Sequence, residues 1–281
     1  MVIVVESARP CAGPLIVEIK HNPEVMSGKR KKSPAAYRKR SYRQLVDAGR
    51  LLATQVQVRE TDLQILAPVA VRDRAMHLVI QYRNQLENYL SRHPNFLESL
   101  SPLPDERLAP PLVRTMLKAG LAAGVGPMAA VAGTIAEYVG RDLLKETGCD
   151  EVMVENGGDI FLSRKEDCRV AIFAGTSPLS NRVGLWIPAG AMPCGICTSS
   201  GTVGHSLSLG RADAVTVVAA STALADAAAT RLGNEVKNRR DLPRALEAAS
   251  AIPDLKGVVI VIGEELGAWG TIELVEVNRK D

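Results

Sequence analysis

The stretch Glu151–Ser163, EVMVENGGDIFLS, decides the fold. Two apolar runs, EVMVE and DIFLS, flank Asn-Gly-Gly, three residues that accept positive φ and mark a tight turn. Such a stretch reads as a β-hairpin, with neighbouring strands antiparallel and no helix between them. The pattern repeats outward. VQVRETDLQILAP alternates apolar and polar residues on both sides of Glu60–Asp62, which predicts another hairpin. Downstream, RVAIFAG, VGLWIP, DAVTVVA, GVVIVIG and GTIELVEV read as strands, and ALADAAATRLGNEV and the Pro-bounded DLPRALEAAS as helices. Upstream, Met76, Val79, Ile80, Leu86 and Leu90 lie at helical spacing within an amphipathic helix over 73–92. Prolines 102, 104, 110 and 111 mark a loop, and a helix follows from about Leu112 to Ala119. Gly124, Gly126 and Pro127 then break the chain before an Ala-rich helix restarts near Met128. Helices interleaved with paired strands define an α+β fold rather than a doubly wound sheet. Residues 1–34, with four prolines and the run GKRKK, read as an extended basic leader, and 35–281 as a single domain.

Charge is distributed unevenly. Residues 1–50 hold eleven Lys/Arg against four Asp/Glu, so the rest of the chain is mildly acidic although the whole carries +3. The body is therefore no polyanion-binding surface by bulk charge, and aromatics at 4% argue against base stacking. Nucleic-acid binding is left only to the basic arm, Lys29 to Lys32 and Arg38 to Arg43, which reads first as a solvated charge run. The opening MVIVVE is too short for an export signal. The uncharged Ala119–Ala136 holds four Gly, one Pro and seven Ala, which suits a tight core segment better than lipid. Five cysteines at irregular spacing suggest no disulfide framework, and the expected address is the cytoplasm.

Four segments can carry chemistry. In Gly120–Gly133, glycines ahead of a helix let backbone N–H groups face an anion, or let helices pack closely through small residues. In ENGGD, Glu155 to Asp159, the same glycines serve a plain turn or the approach of a flat ligand. In the second case Glu155 or Asp159 would bind a ribose or a base edge. CTSSGTVGHS, Cys197 to Ser206, lies among 28 residues without Asp, Glu, Lys or Arg. Its hydroxyls and glycines suit a phosphate, with His205 as candidate general base, or form an ordinary loop around a hydrogen-bonded His. The adjoining Cys194-Gly-Ile-Cys197 lacks a second ligand pair for zinc and a helix N-terminus for redox work, so two buried thiols are expected. In DAAAT, Asp226 and Thr230 share one helix face at i, i+4 and offer hard oxygen ligands to Mg²⁺.

In this order, the Gly/Ala helix start, the GGD turn, the T-S-G loop with its His and the D-A-x-x-T helix resemble the ApbE superfamily of flavin transferases over roughly residues 115–235. YRKRSYR, ETDL (Glu60 to Leu63), GPMAAVAG, ENGGDI, CTSSGTVGHS and ADAVTVVA resemble more closely a cytoplasmic ApbE-related subfamily of unassigned activity, over about residues 37–275. The resemblance implies a mixed, mostly antiparallel sheet packed with Ala/Gly-rich helices. It also implies FAD or FMN as ligand, with Mg²⁺ between the phosphates of FAD and possible transfer of FMN to a Thr or Ser of an acceptor protein. Asp226 and Thr230 would be the metal ligands, completed by a backbone carbonyl near Ala129, and Asp226 would join His205 in catalysis. Gly126, Ala129, Glu155, Asn156, Gly157, Gly158 and Asp159 would border the flavin nucleotide, and Thr198, Ser199, Ser200, Gly201 and Thr202 its phosphates. Two departures separate this chain from the transferases. Ala132 stands where they carry a Lys, and His205 follows Gly201 by four residues where they have a longer H-I-I-D-P-x-T-G segment. Nucleotide binding survives these changes more easily than FMN transfer. The subfamily's association with sulfide-dependent homocysteine formation in anaerobes gives a second reading, an accessory factor of a sulfur pathway using Cys194 and Cys197. Ala- and Gly-faced helices could also pair between subunits in a homo-oligomer.

Overall fold

Near-continuous apolar runs such as Val152–Val154 and Val258–Ile262 build a sheet with two apolar faces, and the chain covers each face differently. The computed structural model describes residues 15–18 (backbone only), 43, 48–202 and 209–277. In chain order the elements are β1 (Leu15–Glu18), β2 (Leu52–Val58), β3 (Thr61–Ala67), α1 (Arg72–Leu90), α2 (Pro94–Glu98) and α3 (Pro111–Ala123). A 3₁₀ turn, Pro127–Ala130, leads into α4 (Val131–Glu146), then β4 (Val152–Asn156), β5 (Asp159–Ser163), β6 (Cys168–Ala171), β7 (Val183–Ile187) and β8 (Cys194–Ser199). β9 (Ala214–Ala219), α5 (Thr222–Glu235), α6 (Leu242–Ser250), β10 (Leu255–Ile262), β11 (Glu265–Gly270) and β12 (Glu273–Glu276) complete the fold.

Nine strands form one sheet in the order β1-β11-β10-β9-β8-β5-β4-β3-β2, and β12-β7-β6 form a second. The expected predominance of antiparallel pairing holds: every pairing among the described residues is antiparallel. The helices cover one face of the large sheet, where Val154, Phe161, Val215 and Val217 join their core. The three-stranded sheet covers the other face through Met153, Ile160, Leu162, Ile196 and Val259. This is an α+β fold in three layers. No single helix among the described residues is long and apolar enough to cross a membrane.

The hairpin read from Glu151–Ser163 is β4–β5, with Val154 opposite Phe161 and Asn156 opposite Asp159. Both turn glycines take positive φ, 69° at Gly157 and 112° at Gly158. Three expectations change. α3 continues to Ala123 and stops at Gly124, whose φ of 74° ends a helix without strain. Cys197 to Ser199, expected in a loop, end strand β8, and β11 is a strand absent from the pattern. Both are poor in strand-forming side chains, so they are held by neighbours on either side: β5 and β9 for β8, β1 and β10 for β11. Finally, residues 15–18 of the leader add β1 to the edge of the large sheet.

Candidate functional site

The site is built where the first turns of α4 and α5 meet over β5 and β8. Gly133, in the first turn of α4, has no room for a side chain. A Cβ there would lie 2.5 Å from the Thr222 carbonyl and 2.8 Å from the Asp226 Cβ. That close approach brings Asp226, one turn into α5, to the start of α4, where its Oδ2 accepts the Gly133 N–H at 2.8 Å. The carboxylate thus meets a free backbone donor at the positive end of a helix. Asn156, at the end of β4, donates from Nδ2 to the Ala132 carbonyl at 3.1 Å and ties the turn of the hairpin to the same place.

Asp159 begins β5 opposite Cys197 of β8 and faces the helices. It is 8% exposed, and burial followed by the nearby charge of Asp226 pushes its carboxyl well above the usual range. The Cys197 thiol lies within hydrogen-bond reach of both the Asp159 carboxylate and the Thr222 carbonyl, the latter at 3.3 Å. Asp226 is pushed up to about 7 by burial, with the N–H groups of Gly133 and Ala132 pulling the other way. The two carboxylates thus lie close enough for the charge of Asp226 to act on Asp159, and they have no ion-pair partner among the described residues. Thr230 follows Asp226 by one turn on the same face of α5.

This donor set suits a small divalent cation. Mg²⁺ takes oxygen ligands, usually one or two carboxylates with the rest from water or phosphate. Asp226, drawn by the N–H groups of Gly133 and Ala132, offers a carboxylate at the start of α4, and Thr230 adds a hydroxyl. A cation would also offset the charge of Asp226 that helps raise Asp159. Among the described residues no cluster of three or more His, Cys, Asp or Glu is placed to hold a metal ion, here or elsewhere.

The remaining candidates divide between this place and others. Ala129 lies in the 3₁₀ turn just ahead of α4. Gly126 packs against the chain's own loop, since a Cβ there would strike the Ser99 carbonyl at 1.8 Å. Glu155 points to the opposite sheet face from Asp159. It accepts the Gly158 N–H at 2.9 Å and the Arg43 guanidinium at 2.7 Å, and Arg43 also holds Asp62 at 2.8 Å. In β8, Thr198 bonds Thr216 at 2.9 Å on the face away from the helices, and Ser199 faces α5 near Gly233. Ser200 and Thr202 form a small hydroxyl cluster anchored on Asp213, and Gly201 is pinned to Ala212 by a 2.9 Å backbone bond. His205 lies outside the described residues, as do Lys29 to Lys32 and Arg38 to Arg40.

The cysteines separate. Cys194 and Cys197 are fully buried on opposite faces of β8, Cys194 against the three-stranded sheet and Cys197 against the helices. An i, i+3 spacing in a strand cannot bring two side chains together. Burial pushes the Cys194 thiol up to about 11 and holds the Cys197 thiol well above the ordinary thiol range. The pair assigned to sulfide handling is therefore two isolated, protonated thiols, as the reading of CxxC as buried thiols expected.

One acid escaped the sequence reading. Glu137, 2% exposed on α4, accepts the N–H groups of Thr222 and Ala223 at 2.7 and 3.3 Å and the Ser221 hydroxyl at 3.2 Å. Its other oxygen pairs with Arg141 at 2.6 Å. The one available signal was position: Glu137 is the first charge after the uncharged Ala119–Ala136.

An antiparallel sheet sandwiched between a smaller sheet and a helical layer is a fold also present among solved structures. The chain superposes on the crystal structure of the apo flavinyl transferase ApbE of Pseudomonas stutzeri with a TM-score of 0.50 at 14% identity, covering 80% of this chain and 94% of that one. The chain belongs to the family described as AbpE bacteria, whose model matches residues 43–265. The UPF0280 protein of Methanococcus maripaludis strain C5 is 43% identical over 234 residues, which is 81% of this chain and 94% of that protein. The UPF0280 protein of Methanocaldococcus jannaschii is 41% identical over 213 residues, 74% of this chain and 86% of that protein.

Proposed function

We propose that the chain binds a flavin nucleotide, FAD or FMN, together with Mg²⁺ at the junction of α4, α5 and β5. Asp226 and Thr230 would hold the cation, with a carbonyl near Ala129, and the Gly157-Gly158 turn and the Ser199–Gly201 segment would border the nucleotide. The observation that carries this reading is the pairing of buried Asp159 with half-buried Asp226, whose carboxyls are both raised and which have no ion-pair partner among the described residues. Membership of an ApbE-related family and the fold shared with a flavinyl transferase support it.

Bound Mg²⁺ would neutralise the charge of a diphosphate and make a nucleotide monophosphate a better leaving group. The chain's own part is positional. The N–H groups of Gly133 and Ala132 hold the Asp226 carboxylate at the start of α4, Asn156 fixes the hairpin turn against Ala132, and the two glycines make that turn at positive φ without a side chain. Transfer of FMN to a protein hydroxyl, with His205 as base, is the further step for this site.

The test is flavin fluorescence of the purified protein titrated with FAD, with and without Mg²⁺. Tight binding that needs Mg²⁺ and is abolished by Asp226→Ala supports the proposal. Binding unchanged in that variant refutes the assignment of the cation, and absence of binding at high micromolar FAD refutes flavin as the ligand. AMP release from FAD in the presence of an acceptor protein then tests transfer.

A further inference from the structure

We propose that Glu137 is a positioning residue that sets the cation affinity of Asp226 and Thr230 by locking α5 in register against α4. The inference rests on the cation site proposed above and adds a residue with no place in the D-A-x-x-T pattern.

The geometry is reciprocal. Asp226 of α5 accepts an N–H from the first turn of α4, at Gly133. Glu137 of α4 accepts two N–H groups from the first turn of α5, at Thr222 and Ala223. Gly133 and Glu137 are four residues apart on one helix, and Thr222 and Asp226 four apart on the other, so each pair shares a face. The helices are joined by two rungs about one turn apart. A single rung would let α5 pivot about Asp226. Two rungs fix both its translation and its rotation, and with them the direction of the Asp226 carboxylate and of Thr230.

Helix capping alone does not account for Glu137. α5 already has its own N-cap, Ser221, whose Oγ accepts the Leu224 N–H at 3.4 Å. Glu137 takes the hydroxyl proton of that same Ser221, so the cap itself is bonded to α4. Thr222 is also wedged between two glycines. A Cβ at Gly195 of β8 would lie 2.3 Å from its Cα, and one at Gly133 of α4 would lie 2.5 Å from its carbonyl. The start of α5 thus has no slack, and the acid that holds it is buried one turn from the candidate ligand. Residues that orient a ligand in this way commonly change metal affinity by about 10–100-fold when removed.

The experiment is a Mn²⁺ titration of the full chain without flavin, read by the electron paramagnetic resonance signal of free Mn²⁺. Glu137→Ala is compared with wild type and with Leu246→Ala, a buried α6 residue away from the site that supplies a matched loss of melting temperature. The expected result is an affinity about 10–100-fold weaker for Glu137→Ala, with Glu137→Gln, which keeps one accepting oxygen, in between and Leu246→Ala unchanged. Glu137→Ala binding as wild type does, or Leu246→Ala weakening equally, overturns the inference. Should Glu137→Ala not fold, Glu137→Gln decides: weaker binding supports the role and equal binding overturns it. A wild type that binds no Mn²⁺ removes the cation site itself and this inference with it. Wild-type binding that is lost in Asp226→Ala but kept in Glu137→Ala removes this inference alone.

Discussion

Asp159 at the head of β5 and Asp226 in α5 face each other across the junction of sheet and helices, and the charge of Asp226 helps to hold Asp159 protonated. Two acids from elements far apart in the chain have been brought into repulsion, an arrangement that costs stability unless something positive joins them.

The cost depends on pH. Asp226 is raised to about 7 from an ordinary 3.8, and Asp159 is raised as well. Between those values the folded protein holds a proton that the unfolded chain has released, so stability falls as pH rises through the window. Metal-free protein should therefore melt higher near pH 5 than near pH 8, and Asp226→Asn should flatten the difference. Mg²⁺ should raise the melting temperature at pH 8 and do little at pH 5. Melts that are independent of pH in wild type would contradict the raised pair.

Gly133→Ala places a methyl group against the Thr222 carbonyl and the Asp226 Cβ, neither of which can retreat. The variant should lose about 1–3 kcal/mol in urea unfolding, the usual cost of overpacking. It should also lose Mg²⁺-dependent flavin binding, because α4 and α5 must part. An equally stable variant with normal binding would show that the helices tolerate separation.

Arg43 joins Glu155 and Asp62 on the face of the sheet away from the helices, with side-chain exposures of 10% and 3% for Arg43 and Glu155. Arg43→Ala leaves buried Glu155 without this partner and should destabilise the protein by about 3–5 kcal/mol, as breaking buried pairs does. Urea unfolding measures it. A loss below about 1 kcal/mol, the range of surface pairs, would place Arg43 among ordinary surface charges.

The four described cysteines are all free and buried. In a Cys11→Ser background the native protein should be inert to a thiol-disulfide reagent at neutral pH and react at four thiols once unfolded in urea. Rapid modification of native Cys194 or Cys197 would contradict their burial.

Legibility in the sequence followed the range of the forces at each place. The β4–β5 hairpin was readable because Asn-Gly-Gly makes its turn locally, and Asp226 and Thr230 because i, i+4 spacing fixes a shared face whatever surrounds the helix. β8 was not, since CGICTS gains strand geometry only from β5 and β9 on its two sides. The halves of ENGGD could not be told apart in advance either. Alternation sends Asp159 toward the helices and Glu155 away, but which face carries the site depends on where α5 packs. Glu137 was the least visible, because its partners on α5 lie some 85 residues further along the chain.

The two outer strands of the large sheet come from the beginning of the chain, with β1 pairing Leu15 to Ala268 while β2 has β3 as its neighbour immediately afterwards. During synthesis the hairpin β2–β3 can form as soon as it emerges, but β1 must wait until the residues around Ala268 have been made before its partner exists. Contacts of such long separation are slow to form because loop closure precedes any gain. The nascent chain therefore carries an unmatched strand until β11 is made, and the large sheet, begun at its β2–β3 edge, is closed last at β1.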